Sequence, residues 1–179
     1  MNIAIIILIL LIVYVLFVYN VLISKRNRIS QAASGIDVYL TQRFDLIPNL
    51  VECVKGYMKH EERVFQNIAQ LREKYYHDRN LKEGEVLNNQ FNEILAISEN
   101  YPELKANEQF LNLQKKLEKM ESQLQAARRI YNVEVNTYNN SVQMFPNNLV
   151  AKIFNFKLEE FFEAEEEVKN NVKVDYKEG

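Results

Sequence analysis

Residues Phe110–Phe145 read FLNLQKKLEKMESQLQAARRIYNVEVNTYNNSVQMF. Phe110, Leu113, Leu117, Met120, Leu124, Ala127, Tyr131, Val135, Tyr138, Val142 and Phe145 recur there at intervals of 3-4-3-4-3-4-4-3-4-3. This is an a/d seam of about five heptads with charges at flanking positions. It predicts one helix of ~36 residues, roughly 54 Å long. A stripe that long cannot be buried in a small globule. It needs equally long helices beside it, in the same chain or across an oligomer.

Outward from this helix, the prolines mark the other elements. Phe145-Pro146-Asn147-Asn148 stops it, and a short apolar stretch, Leu149–Phe156, follows. On its N-terminal side, Glu99-Asn100-Tyr101-Pro102-Glu103-Leu104 ends a shorter helix with Leu87, Phe91, Ile94 and Ser98 along one side, because the residue before a proline avoids the α region. Residues 76–84 (YHDRNLKEG) are polar, contain Gly84 and predict a loop. Leu50, Val51, Val54, Tyr57, Met58, Val64, Phe65, Ile68, Leu71 and Tyr75 form another helical stripe. Pro48 precedes it, as a kink or as a break at a new helix start. Ile29, Ala33, Ile36, Leu40 and Ile47 predict a helix from Ser24 to Asp45, weakened at Gly35 by up to ~1 kcal/mol.

That helix has no breaker separating it from Ile3–Ile23, IAIIILILLIVYVLFVYNVLI, which is uncharged and has Asn20 as its one strongly polar side chain. As a helix it spans roughly 31 Å, the thickness of a hydrocarbon core. A cleaved signal peptide would need a basic start, a shorter apolar run and a small-residue cleavage site. A buried soluble helix would carry a polar face. An uncleaved anchor, holding the lipid bilayer through residues 3–23, fits better. Lys25, Arg26 and Arg28 follow it and no basic side chain precedes it. The expected site is therefore the cell membrane, with a single pass, the body cytoplasmic and the short N-terminus outside. Those three residues are read as topology determinants; three charges fall short of the ~4–8 of an anionic-lipid patch.

Composition narrows the alternatives. The chain has 179 residues, 47% apolar and 26% charged, with net charge −2. Four glycines and three prolines are too few for the turns of an all-β fold. One cysteine and two histidines make neither a disulfide scaffold nor a Cys/His zinc module. The charge gives no case for nucleic acid; Arg128-Arg129 flank the seam, where a surface or interhelical ion pair is the simpler reading. Residues 157–179 hold 8 acidic and 4 basic side chains, a solvated tail whose start Phe161 and Phe162 would tack onto the bundle. The expected organisation is thus an anchor at 1–23, a helical bundle at 24–156 and an acidic tail at 157–179.

No catalytic constellation is apparent. A di-metal bundle site needs Glu-x-x-His pairs, but Tyr57 and Lys74 stand three before His60 and His77. His60-Glu61-Glu62-Arg63-Val64 lacks the second histidine of a zincin. The glycines are scattered, so there is no phosphate loop. Cys53 reads as a small packed side chain rather than a nucleophile. No metal, cofactor, small-molecule substrate or enzyme activity is expected. Tyr131-Asn132 and Tyr138-Asn139 repeat one heptad apart, with the tyrosines on the seam as core residues with a polar handle. Asp37, Arg43, Asp45, Pro48, Asn49 and Glu52 form a candidate structural or interface cluster. Arg43 and Asp45 stand amid Phe44, Leu46 and Ile47, so hydrogen bonds and ion pairs there would fix how the first helix meets the second. Asp45 could also serve as a helix N-cap.

IDVYLTQRFDLIPNLVE (Ile36–Glu52) closely resembles the LemA family. The likeness continues through Val54–Tyr57, Lys59–Glu61, Glu99–Glu108, Ala127–Asn132, Tyr138-Asn139, Phe145-Pro146, Asn148–Ala151 and Phe162–Ala164. It departs at Lys157–Glu160, where the family often carries prolines. The resemblance implies a bacterial single-pass membrane protein with a helical body. It supplies no activity, because the family has no established biochemical function. One branch is implicated in forming magnetosome membrane vesicles, which by analogy favours a membrane-organising role.

The fold expected is all-α: an N-terminal transmembrane helix continuing into an elongated antiparallel helical bundle with coiled-coil-like packing. The function expected is a membrane scaffold that forms a homo-oligomer or holds a membrane-protein partner. A tethered sensing or regulatory module, with Pro48 as hinge, is the alternative.

Overall fold

The computed structural model describes residues 2–57, 66–67, 69–70, 73–74, 77 and 83–162. In chain order the elements are α1 (Asn2–Asp45), α2 (Ile47–Lys55), α3 (Glu83–Ser98), α4 (Pro102–Lys105), α5 (Glu108–Gln143) and α6 (Asn147–Ile153). Among the described residues there is no strand.

α1 runs for 44 residues without interruption, so the apolar N-terminal run and the helix after it are one element. It is long and apolar enough to cross a membrane. At Pro48 the chain neither bends into a loop nor reverses. Leu46 keeps right-handed dihedrals (φ −80°, ψ −15°), its N–H donates to the Arg43 carbonyl at 3.2 Å, and the Leu50 N–H donates to Leu46 at 3.0 Å. Pro48 falls in the first turn of α2, where no N–H is required. The N-cap position is Leu46 with no side-chain cap bond, not the Asp45 cap that the sequence suggested.

The chain divides into two compact units, one from the described parts of Met1–Ile29 and Tyr131–Gly179, the other from Ser30–Ile130. In the Ser30–Ile130 unit the buried side chains include Ile36, Leu40 and Phe44 of α1, Leu50 and Val54 of α2, Phe91 and Ile94 of α3, Leu104 of α4, and Phe110, Leu117 and Leu124 of α5. The pairing is antiparallel. Arg43 meets Glu121, and farther along the chain Tyr57 accepts from Asn107 at 3.2 Å. Asn107 caps α5: its Oδ1 accepts from the Gln109 and Phe110 N–H groups at 2.9 and 3.1 Å. Phe91, Ile94 and Ser98 are buried on one side of α3, as their spacing predicts. Within the predicted loop at 76–84, His77 is helical and Glu83 and Gly84 belong to α3, and the other positions lie outside the described residues. The stripe from Met58 to Phe65, with Ile68, Leu71 and Tyr75, lies outside the described residues.

In the other unit Val18, Leu22 and Ile29 of α1 pack with Val135, Tyr138 and Val142 of α5 and Val150 and Ala151 of α6. α5 has the predicted 36 residues. Its seam is buried or half-buried up to Val142, but Phe145 is 79% exposed. The helix ends at Gln143, and the turn before α6 carries Phe145 off the seam. Val18 and Leu22, inside the predicted anchor, are covered by protein. Residues 157–162, assigned to the tail, lie along α5.

Gly35 is the one glycine inside α1, and a Cβ built there meets nothing within 4 Å. Gly35→Ala is expected to stabilise the full chain by about 0.5–1 kcal/mol, read from denaturant unfolding in detergent micelles. A loss of stability would mean that α1 needs its weak point.

Candidate functional site

The most organised polar feature of the unit formed with Tyr131–Gly179 is built by one surface of α5. After α6 the chain runs extended from Phe156 to Phe162. An extended segment with no strand beside it leaves its N–H and C=O groups in need of partners, and the two Tyr-Asn pairs of α5 supply them. The Tyr138 hydroxyl donates to the Lys157 carbonyl at 2.9 Å. The Asn139 amide donates to the Glu159 carbonyl at 2.9 Å and accepts from the Glu159 N–H at 3.0 Å. One heptad earlier, the Tyr131 hydroxyl donates to the Glu160 carbonyl at 3.2 Å. Asn132 donates to the Phe162 carbonyl at 2.9 Å and accepts from its N–H at 2.8 Å. Each asparagine thus pairs with the extended chain as a neighbouring strand would.

The register follows from two lengths. Seven residues of α-helix rise ~10.5 Å, and three residues of extended chain cover ~9–10.5 Å. The grip therefore repeats every seven residues on α5 and every three on the strap, from Lys157 to Glu160 and from Glu159 to Phe162. A three-residue repeat is also that of a polyproline II helix, which makes no internal hydrogen bonds. Side chains add to the seal. The Tyr131 and Phe162 rings meet edge-on at 6.4 Å, while Phe161 points its bulk outward, 50% exposed. Phe162 alone of the pair tacks the segment down. Arg26 pairs with Glu159 at 3.3 Å.

Burial pushes both hydroxyls above the ordinary tyrosine range. For Tyr131 the Glu159 and Glu160 carboxylates add to it; for Tyr138 Arg26 opposes it and Glu159 adds. Both stay protonated, and so able to donate, through neutral pH.

Arg43 is 4% exposed; it pairs with Glu121 of α5 and stacks 4.9 Å from the Phe91 ring of α3. Gln125 donates to the other Glu121 oxygen at 3.1 Å. Burial lowers the Arg43 pKa and Glu121 opposes the shift. Arg43 therefore ties α1 to α3 and α5. Asp37 is half-buried, and Asp45, Pro48, Asn49 and Glu52 are exposed. Asn49 and Glu52 line an open cleft with Cys53, Asn107 and Lys116. Cys53 is half-buried, and burial raises its thiol pKa, opposite to what a nucleophile needs. Of the basic residues after the apolar run, Lys25 donates to Ser141, Arg26 holds the strap, and Arg28 is exposed.

Asn132 and Asn139, rather than the tyrosines alone, are the residues that sequence reasoning missed; their repetition one heptad apart was the available signal. Asn107 was missed as well, although an asparagine directly before an acidic first turn is a cap signature.

Removing the Asn139 amide by Asn139→Ala orphans two groups of the strap, worth about 1–3 kcal/mol. The Glu159 amide should then exchange with solvent roughly ten- to a hundredfold faster, with helix content unchanged. Unaltered protection would show that the strap is held by other means. The pH dependence has a fixed sign. Tyrosines raised above their unfolded value of about 10 stabilise the docked strap fully below that value, and the contribution is lost as pH rises through the folded value. Strap protection, corrected for intrinsic exchange, is expected to stay flat from neutral pH up to about 9 and to fall only above the ordinary tyrosine range.

The profile of the LemA family matches residues 32–176, which take in Arg43, Asn107, both Tyr-Asn pairs and the strap. Protein LemA of Metamycoplasma hominis is 28% identical over 159 residues, covering 84% of this chain and 73% of its own length. Magnetosome proteins MamQ 2 and MamQ 1 of Paramagnetospirillum magneticum are each 21% identical over 175 residues. This chain spans 64% of their length, with 81% of its own residues matched. With the family profile matched over most of its residues, this chain belongs to the LemA family.

Proposed function

We propose that this chain is a single-pass membrane protein that acts as a structural or interaction scaffold, self-associating or holding a membrane-protein partner, and catalysing no reaction of its own. The observation that carries the reading is α1 itself. Its apolar side chains from Ile3 to Phe17 are largely bare, 75% at Ile3 and 65% at Phe17, and the same helix continues into packed cores. Bare apolar surface of that length needs lipid around it. In this reading Lys25, Arg26 and Arg28 keep the body on the cytoplasmic side, and the long seam of α5 offers coiled-coil-like contact. Two relatives are named magnetosome proteins, and a part for this chain in organising membranes is a reading by analogy with those names. The uninterrupted α1 also favours a second reading, a sensing module that relays signals through the step at Leu46.

Two measurements on one preparation test the proposal. With Cys53→Ser and Lys177→Cys, an impermeant maleimide is expected to label the tail only after cells are opened; labelling of intact cells would place the body outside. Crosslinking followed by native mass analysis in detergent should return an oligomer or a complex. A strict monomer retaining no membrane partner contradicts the scaffold. Pro48→Ala, if it altered those crosslinks without unfolding the body, would favour the sensing module.

A further inference from the structure

α6 is apolar on more than the face it buries. Val150 and Ala151 pack in the cluster with Val18 and Leu22. On the rest of the hairpin, Met144 is 63% exposed, Phe145 79%, Leu149 55%, Ile153 72% and Phe154 47%. Five large apolar side chains within eleven residues are more than the scattered exposure of an ordinary soluble surface.

Their place along α1 identifies what covers them. The Tyr14 hydroxyl donates to Asn147 Oδ1 at 3.2 Å, at the first residue of α6. The Tyr19 ring lies 4.9 Å from Phe154 and 5.7 Å from Phe156. α6 therefore lies along α1 between the levels of Tyr14 and Leu22. α1 is exposed at every residue from Ile3 to Tyr14, 12 residues, ~18 Å long and about 12 Å short of a ~30 Å hydrocarbon core. Counted from Ile3, the missing length is the stretch that α6 sheathes. The exposed surface of the hairpin is thus continuous with the bare helix and sits where the lipid of the body-side leaflet begins.

We propose that Met144, Phe145, Leu149, Ile153 and Phe154 form a second membrane contact, a wedge buried among the acyl chains and headgroups of the leaflet that faces the body. The inference rests on the membrane-anchor reading. α1 would then cross that leaflet with lipid on one side and α6 on the other. An amphipathic segment lying at the headgroup boundary binds through its apolar side chains while its polar atoms stay within reach of water. The exposed Lys152 of α6 can lift its ammonium to the headgroups while its stem lies on the apolar surface. A wedge confined to one leaflet occupies area there and not in the other, so the body would bend or thin the bilayer around its anchor.

The chain contains no tryptophan, so one introduced on the exposed surface is a unique emitter. The full chain, carrying Phe145→Trp, Ile153→Trp, Ile9→Trp or Val133→Trp singly, is reconstituted in phosphatidylcholine–phosphatidylglycerol vesicles with phosphatidylcholine brominated along its acyl chains. Ile9→Trp reports the anchor. Val133→Trp, 62% exposed and roughly 15 Å along α5 from its end at Gln143, reports the water-facing body. Expected are blue-shifted emission and strong bromine quenching for Phe145→Trp and Ile153→Trp, close to Ile9→Trp, with Val133→Trp unquenched and unchanged as vesicles are diluted with lipid. Emission from the hairpin as red and unquenched as Val133→Trp, with Ile9→Trp quenched, overturns the wedge and leaves the anchor standing. Unquenched but blue emission that shifts on lipid dilution assigns the surface to a second copy and also overturns it. An unquenched Ile9→Trp removes the anchor, and the wedge with it.

Discussion

Isoleucine, leucine and valine arranged on every side of a helix are stable where water is absent, and α1 begins with such a stretch and continues into the body without a loop. The two conditions act together. Because no loop separates the apolar run from Ile29, Ile36 and Leu40, the element long and apolar enough to cross a membrane is also the one on which both cores are assembled. Each core meets α1 with a different device. Around Val18 and Leu22 the partners are apolar, from α5 and α6. Around Arg43 the joint is a buried guanidinium between a carboxylate and an aromatic face, an arrangement that specifies geometry more than it adds net stability.

The strap shows how an irregular segment can be fixed without a sheet. Six side-chain hydrogen bonds from two Tyr-Asn pairs hold backbone groups of Lys157, Glu159, Glu160 and Phe162. The helix heptad and the three-residue extended repeat have nearly the same length, so identical dipeptides can grip at both points. Prolines at Lys157 and Glu160 would suit such a conformation, since the bonds there use only carbonyls, whereas one at Glu159 would remove the N–H that Asn139 accepts. This chain reaches that conformation with no proline at 157–160.

What was readable in advance was periodic. The seam predicted α5 to its length, and the stripe of Phe91, Ile94 and Ser98 predicted the buried side of α3. What was not readable depended on residues distant in the chain. Arg43 finds Glu121 78 positions away, and nothing local to Arg43 selects that partner over Asp45 or Glu52. Asn132 and Asn139 are polar residues next to a seam, indistinguishable by composition from solvated positions until a strap arrives 20–30 residues later. Hydropathy reports apolar character and not which neighbour covers it, and within the apolar run Val18 and Leu22 are covered by protein. Phe145 kept the heptad spacing but lost the helix that would have given it meaning.

Alkaline carbonate extraction of membranes containing the full chain puts the central claim to the most direct test. Sheets of bilayer retain proteins held by a spanning helix and release those held by surface contacts. If α1 stays in lipid, the intact polypeptide remains with the membrane pellet and leaves it only with detergent. Recovery of the intact chain in the carbonate supernatant would show that the apolar surface of α1 is covered by something other than a bilayer.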